Sequence, residues 1–276
     1  MSVPAPAAVQ PLPRHGMARL VGRRLRDWLP AAVFLVAVVG AWEGIIRWRH
    51  VQQFLLPKPS SIATAFWDDR SELLHAGWFT FQEALGGFAL GSALGILLAL
   101  VLARYRFFGN ALMPYAIAAN AIPIIAFAPI TNQWFSGGIT KSSKIVIAAV
   151  LCFFPVLVNT LRGLTSVNPR ALELMESYAA GQVQIFRRVR IPTALPFIFT
   201  GLKVATVLAM IGAVVGEYFG GSFNALGVLI RSKAQILDFQ TAWAGILLAC
   251  VLGLALYIAV AVLERLTLRW VPSTSE

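Results

Sequence analysis

The sequence predicts an all-α integral membrane protein with six transmembrane helices, and three observations carry that prediction. Hydrophobic residues make up 58% of the 276-residue chain and charged residues only 13%, about half the roughly 25% that a water-soluble domain uses to cover its surface. The apolar residues are gathered into blocks of bilayer length instead of being dispersed. The basic residues collect on alternate connections between those blocks.

The first sixteen residues, "MSVPAPAAVQPLPRHG", are rich in proline and alanine and lack the apolar surface to order themselves; with the arginines that follow they form a disordered basic tail, 1–27. Residues 28–270 then read as a single six-helix transmembrane domain. About 20 apolar residues are needed to cross the hydrocarbon core. Trp28 to Trp42, extended through Glu43 to Trp48, is one such span, and Ala84 to Ala103 a second. Phe107 to Thr140 is too long for one crossing, but "TNQWFSGG" (131–138) is polar and glycine-rich enough to leave the bilayer, so it is one span plus a loop. Ile145 to Leu161, Ile191 to Gly216 and Phe239 to Leu263 supply the rest. A basic tail before an apolar block also describes a signal peptide, but this block is long for one and is taken as an uncleaved first span.

With the N-terminus inside, the inner segments hold fourteen arginines and the outer ones eight basic residues, so the positive-inside rule places both termini in the cytoplasm. The net charge of +11 is accounted for by anionic lipid beside the inner arginine clusters and calls for no nucleic acid. There is no phosphate-binding G-x-x-x-x-G-K-[ST], H-E-x-x-H, C-x-x-C or G-x-S-x-G in the sequence. No catalytic residue, metal set or cofactor is therefore expected. Cys152 and Cys250 both fall inside spans, as small apolar packers.

A charged amphipathic insertion leads into the fifth span: "LELMESYAAGQVQIFRRVRIPTALP", Leu172 to Pro196. Asn168-Pro169 reads as a helix start, with Asn as N-cap and Pro at the first position. Leu172, Met175, Glu176 and Ala179 share a face, Gly181 can break the helix, and a second short helix follows from Gln182 with Val183, Phe186 and Val189 at steps of three. Pro192 opens the next span. By residue pattern alone, such a knob fits either an amphipathic loop lying on lipid headgroups or a docking element. The segment resembles the E-A-A loop of bacterial ABC-importer permeases, whose pattern is E-A-A, three residues, Gly, nine residues, I-x-L-P. Glu173 stands as the E, Leu174-Met175 replace Ala-Ala, Ala179 takes the Gly position with Gly181 two residues on, and Val189-Arg190-Ile191-Pro192 stands for I-x-L-P.

The resemblance implies cytoplasmic coupling helices within 168–192, between spans four and five, that dock on a separate ATPase subunit through Glu173, Ala179, Gly181, Arg187 and Pro192. It extends through "NAIPIIAFAPITNQWF" (120–135), "FFPVLVNTLRGL" (153–164), "VVGEYFGG" (214–221) and "ALGVLIRSKAQ" (225–235), which look like permeases of the nitrate, sulfonate and taurine group. The "IPIIAFAPITNQWF" wording is most similar to the branch for pyrimidine precursors of thiamine and for riboflavin. The implied partners are ABC ATPase subunits, an extracytoplasmic solute-binding protein and a second copy of the chain, in a bacterial inner membrane. Polar residues within or beside the spans are the candidates for a translocation path: Asn120, Pro123, Asn132, Gln133, Trp134, Asn159 and Lys203. Pro114, Pro123, Pro129 and Pro155 interrupt helical ladders there. Glu43 and Glu217 are expected near the interfaces, where they reach water or a basic neighbour. The rival class, an ion-coupled secondary transporter, would need ionisable groups deep in several spans and short broken helices, which the sequence pattern does not show.

Overall fold

A computed structural model describes residues 17–53, 55–105, 123–135 and 140–268. Among these residues every element is helical: α1 (Met17–Trp48), α2 (Pro59–Asp68), α3 (Arg70–Arg104), α4 (Ile124–Trp134), α5 (Lys141–Thr165), α6 (Pro169–Ser177), α7 (Gln182–Ile185), α8 (Ile191–Phe219), α9 (Leu226–Gln235) and α10 (Phe239–Thr267). Five helical stretches are long and apolar enough to cross a membrane. The third expected span lies largely at 107–122, outside the described residues, and α4 holds its last described part together with the first residues, 131–134, of the expected loop. Asn120 and Pro114 fall outside the described residues as well. Residues 17–27, within the segment read as tail, are already helical.

The helices overrun the charge-free blocks, and two elements arise where the pattern shows only loop. Helix α3 begins at Arg70, fourteen residues before Ala84, and α5 takes in Lys141 and Lys144. Helix α2 starts on Pro59 at its first position, and its Ser60 is held by Glu43 of α1, with backbone N–H to Oε2 at 3.1 Å and hydroxyl to Oε1 at 2.8 Å. Glu43 also pairs with Arg47 at 2.7 Å, the basic neighbour expected for it. The last turns of α1 dock through buried Ile46 and an edge-on contact between Trp42 and Trp243 of α10; most of its remaining described surface faces outward.

The centre of the bundle is a sandwich of α3, α5 and α8, made by glycines. In "GGFALGSALG" the glycines 87, 91 and 95 recur every four residues, which places them on one face of α3. A methyl on Gly91 would lie 2.9 Å from the Ala149 Cα, and one on Gly95 would lie 2.8 Å from the Phe153 carbonyl. Helix α8 closes on the same stretch of α5: a methyl on Gly212 would lie 2.7 Å from the Ala148 Cα. Helices α3 and α5 run parallel and α8 antiparallel to both, in backbone-to-backbone contact. In a bilayer, where lipid is as apolar as leucine, such close approach supplies the dispersion and packing that hold helices together.

Three helix ends share one further device. Ala180 N–H donates to the Met175 carbonyl (3.0 Å) and Ala179 N–H to that of Glu176 (2.8 Å), the paired bonds of a Schellman cap. The same pairs close α1 on His50 and α9 on Leu237. All three capping residues have positive φ, at 51°, 53° and 62°, where a side chain costs about 1 kcal/mol relative to glycine.

Candidate functional site

Two places concentrate polar chemistry, at opposite ends of the α3–α5–α8 sandwich. The first is the connection between α5 and α8. The Asn168 side chain caps α6 by accepting from the Arg170 N–H at 3.0 Å, as its position before Pro169 predicts. No residue of α6 is buried; Glu173 and Arg187 point outward, and Leu174, Tyr178 and Val183 are 56%, 75% and 82% exposed. This is an apolar face without an intramolecular partner, edged by charge.

The bend in that connection sits at Ala179, not at Gly181. Gly181 has φ −67° and serves as N-cap of α7, while Ala179 carries the left-handed conformation. The position matching the family glycine is thus still the one that turns, with alanine bearing the strain. Replacing Ala179 by glycine is expected to raise stability by about 1 kcal/mol, seen as a higher melting temperature in detergent. Gly181→Ala, with open space around it, should gain only about 0.5 kcal/mol.

The second short helix is not separate from the span that follows. After α7 the chain passes through a wide π turn, Phe186–Arg190, directly into α8, so that 182–219 is one continuous helical path. Pro192 explains the π turn: proline lacks an N–H and its ring crowds the carbonyl four residues back, and a wider turn ahead of it relieves both.

The second place is a buried polar cluster at the α9 end. Glu217, two residues from the end of α8, is fully buried and so does not reach water; Glu83 of α3 and Lys144 of α5 are each 1% exposed. Glu217 Oε1 accepts from the Thr80 hydroxyl at 2.6 Å and Oε2 from the Gly227 N–H at 2.7 Å. Thr80 Oγ1 accepts in turn from the Leu226 N–H at 2.9 Å. The carboxyls of Glu83 and Glu217 are hydrogen-bonded to one another, with the Lys144 ammonium close to both. Asn132 of α4 donates to the Gly216 carbonyl at 3.0 Å. Glu83 Oε2 and Asn132 Oδ1 remain buried acceptors without a hydrogen-bond partner.

Thr80, Glu83 and Lys144 escape a reading by charge-free blocks because such a reading ends each block at its first charge. Glu83 precedes Ala84 and Lys144 precedes Ile145, so both fall just outside the spans by construction. For Thr80 and Glu83 the sequence signal is the four-residue repeat Ala76, Thr80, Ala84, which carries a small-residue face of α3 back past Glu83. Ionisable groups from three spans therefore do meet, contrary to the sequence reading, and α9 is a short helix folded back against the bundle.

The remaining path candidates are dispersed. Pro123 caps α4, Gln133 is exposed, and Trp134 is exposed with an edge contact to Phe127 at 6.0 Å. Asn159 donates within its own helix to the Pro155 carbonyl at 2.8 Å. Lys203 pairs with Glu264 of α10 at 2.8 Å, nearer the α6 end. Among the described residues, no group of three or more His, Cys, Asp or Glu could hold a metal ion.

Residues 91–269 match the model of the family described as binding-protein-dependent transport system inner membrane component. The chain is 34% identical over 244 residues to the riboflavin transport system permease protein of Chloroflexus aurantiacus, covering 88% of this chain and 89% of that one. It is 36% identical over 254 residues to the formylaminopyrimidine transport permease protein of Halalkalibacterium halodurans, covering 90% and 98%. A solved bacterial ABC transporter involved in import of the acidic polysaccharide alginate superposes with a TM-score of 0.56 at 17% identity, over 90% of this chain and 98% of that one, which establishes the likeness of fold. The apolar helices, the glycine-packed bundle and this match together place the chain in the family of binding-protein-dependent transport system inner membrane components: it is a multi-pass ABC-importer permease and not an enzyme.

Proposed function

We propose that this permease carries a small heteroaromatic nutrient of the pyrimidine-precursor or riboflavin type, with sulfonates, taurine or nitrate as the next class. The observation that carries the reading is near-full-length identity of 34% and 36% to two permeases named for such solutes. Two copies of the chain enclose the path, both termini lie in the cytoplasm, and the α6 end faces the cytoplasm. A solute-binding protein delivers at the α9 end, and two ATPase subunits grip the 168–192 connection. Closure of the ATPases on nucleotide moves α6 and α7, and the continuous path from Gln182 to Phe219 carries that motion through the bundle. Nucleotide must favour one ATPase arrangement and docking must transmit the preference; otherwise no change of access follows.

Flat aromatic solutes are recognised by stacking, and the exposed Trp134 and Gln133 at the end of α4 are suited to it, with Asn120 preceding that helix. Asn132, engaged with Gly216, sets the position of α4. Trp134→Ala is expected to lower uptake of riboflavin or formylaminopyrimidine about tenfold, equivalent to about 1.4 kcal/mol, with little effect on expression. The test is uptake in proteoliposomes holding the permease, its ATPase and its binding protein. Uptake of either compound that depends on ATP supports the reading; saturable uptake of taurine or nitrate with none of the heteroaromatics would replace it with the second solute class.

A further inference from the structure

Helix α9 is held in place by side chains from other helices. Its N-cap, Ala225, makes no side-chain cap bond, and a helix start leaves backbone N–H groups in need of acceptors. The Leu226 N–H goes to Thr80 of α3 and the Gly227 N–H to Glu217 of α8. A carboxylate at a helix start is also favoured by the positive end of the helix dipole. Gly227 permits the approach, since a methyl there would lie 2.8 Å from the Glu217 Cβ. Residues 225–230 are all buried, whereas the preceding turn is open, with Phe223 96% exposed.

Behind this cap, buried Glu83 of α3 and Lys144 of α5 are the ionisable neighbours of Glu217. Lys141, the other ionisable residue of α5 at this end, is directed to Gln82 at 2.5 Å.

We propose that α9, with the turn 220–225, is a strap across this end of the bundle, and that Glu217 and Thr80 latch it by capping its N-terminus from outside. Lifting the strap breaks both bonds and bares two amides together with an apolar face, so α9 is either seated or released as a unit. Glu217 is the positioning residue; Glu83 and Lys144 lie beside its carboxylate without touching α9. The inference goes beyond the transport reading and is independent of which solute is carried.

The two glutamates separate the latch from a general need for buried charge. In Glu217→Gln the side chain offers one acceptor oxygen where the carboxylate offers one each to Thr80 and Gly227, so at most one of the two bonds is kept. Glu83→Gln leaves the bonds among Thr80, Glu217, Leu226 and Gly227 in place, so the latch survives. The test places a cysteine at buried Ala225 in a Cys250→Ala background of the full-length chain and follows labelling by a polar maleimide in detergent, with gel filtration to confirm folding. Glu217→Gln and Thr80→Val are expected to raise the labelling rate at least about tenfold, Glu83→Gln and Thr80→Ser to leave it within about twofold. Equal rates across all four variants, or equal acceleration by both glutamate variants, would overturn the latch. Should Glu217→Gln fail to fold, the contrast between Thr80→Val and Thr80→Ser decides the matter in the same way.

Discussion

A chain carrying Gly91→Leu is expected not to accumulate as a folded permease, and Gly91→Ala to fold with a stability deficit of about 2 kcal/mol, the scale of overpacking in a tight core. The cause is geometric. A first side-chain carbon at Gly91 stands 2.9 Å from the Ala149 Cα, and main chain, unlike a side chain, has no rotamer to escape into. Helix α5 has little room to shift, because Gly212 of α8 also packs against the main chain of Ala148. Gly86, on the same helix, meets only the flexible side chain of Ile145, at 3.2 Å, and Gly86→Ala should stay within about 0.5 kcal/mol of the parent. Melting curves of the three proteins in one detergent check the ranking; equal losses at 86 and 91 would mean that the seam is not what holds the helices.

Charge reversal at Glu173, or Leu174→Asp, is expected to abolish ATP-driven uptake while the bundle remains intact. Both residues lie on α6, no residue of which is buried, so neither change removes an internal contact. If the exposed face of Leu174, Tyr178 and Val183 is the ATPase dock, it behaves as an interface centre, where one residue carries about 2 kcal/mol or more, about thirtyfold in Kd. Copurification of permease with its ATPase, alongside the melting temperature of the permease alone, distinguishes lost docking from unfolding. Unchanged copurification in both variants would move the dock elsewhere.

Fold class, apolar blocks and the amphipathic connection at 168–192 were legible because each rests on local pattern. The Asn168-Pro169 start holds as written, since cap and first-turn proline depend on adjacent residues alone. Helix α9 and the Glu83–Glu217–Lys144 cluster were not legible. Their stabilising partners lie as far away in sequence as the 146 residues between Thr80 and Leu226, and a glutamate next to a span reads the same whether it faces water or another carboxyl. Gly181 was the natural choice for the bend by composition, yet the Schellman bonds put the left-handed residue at Ala179; cap geometry, not residue preference, decided it.

The glycine seams also determine what α5 can do. Where the glycines of α3 and α8 bring main chain against α5, the three helices are joined at points with little side-chain give, and they act as one stiff beam. A tilt imposed at one tip of such a beam reappears at the other, about 40 Å away over the 29 residues of α8, with nothing along its length to absorb it. Whatever yields during a transport cycle has to be found at the beam's attachments: the turned residues at 50, 179 and 237, and the strap at its far tip.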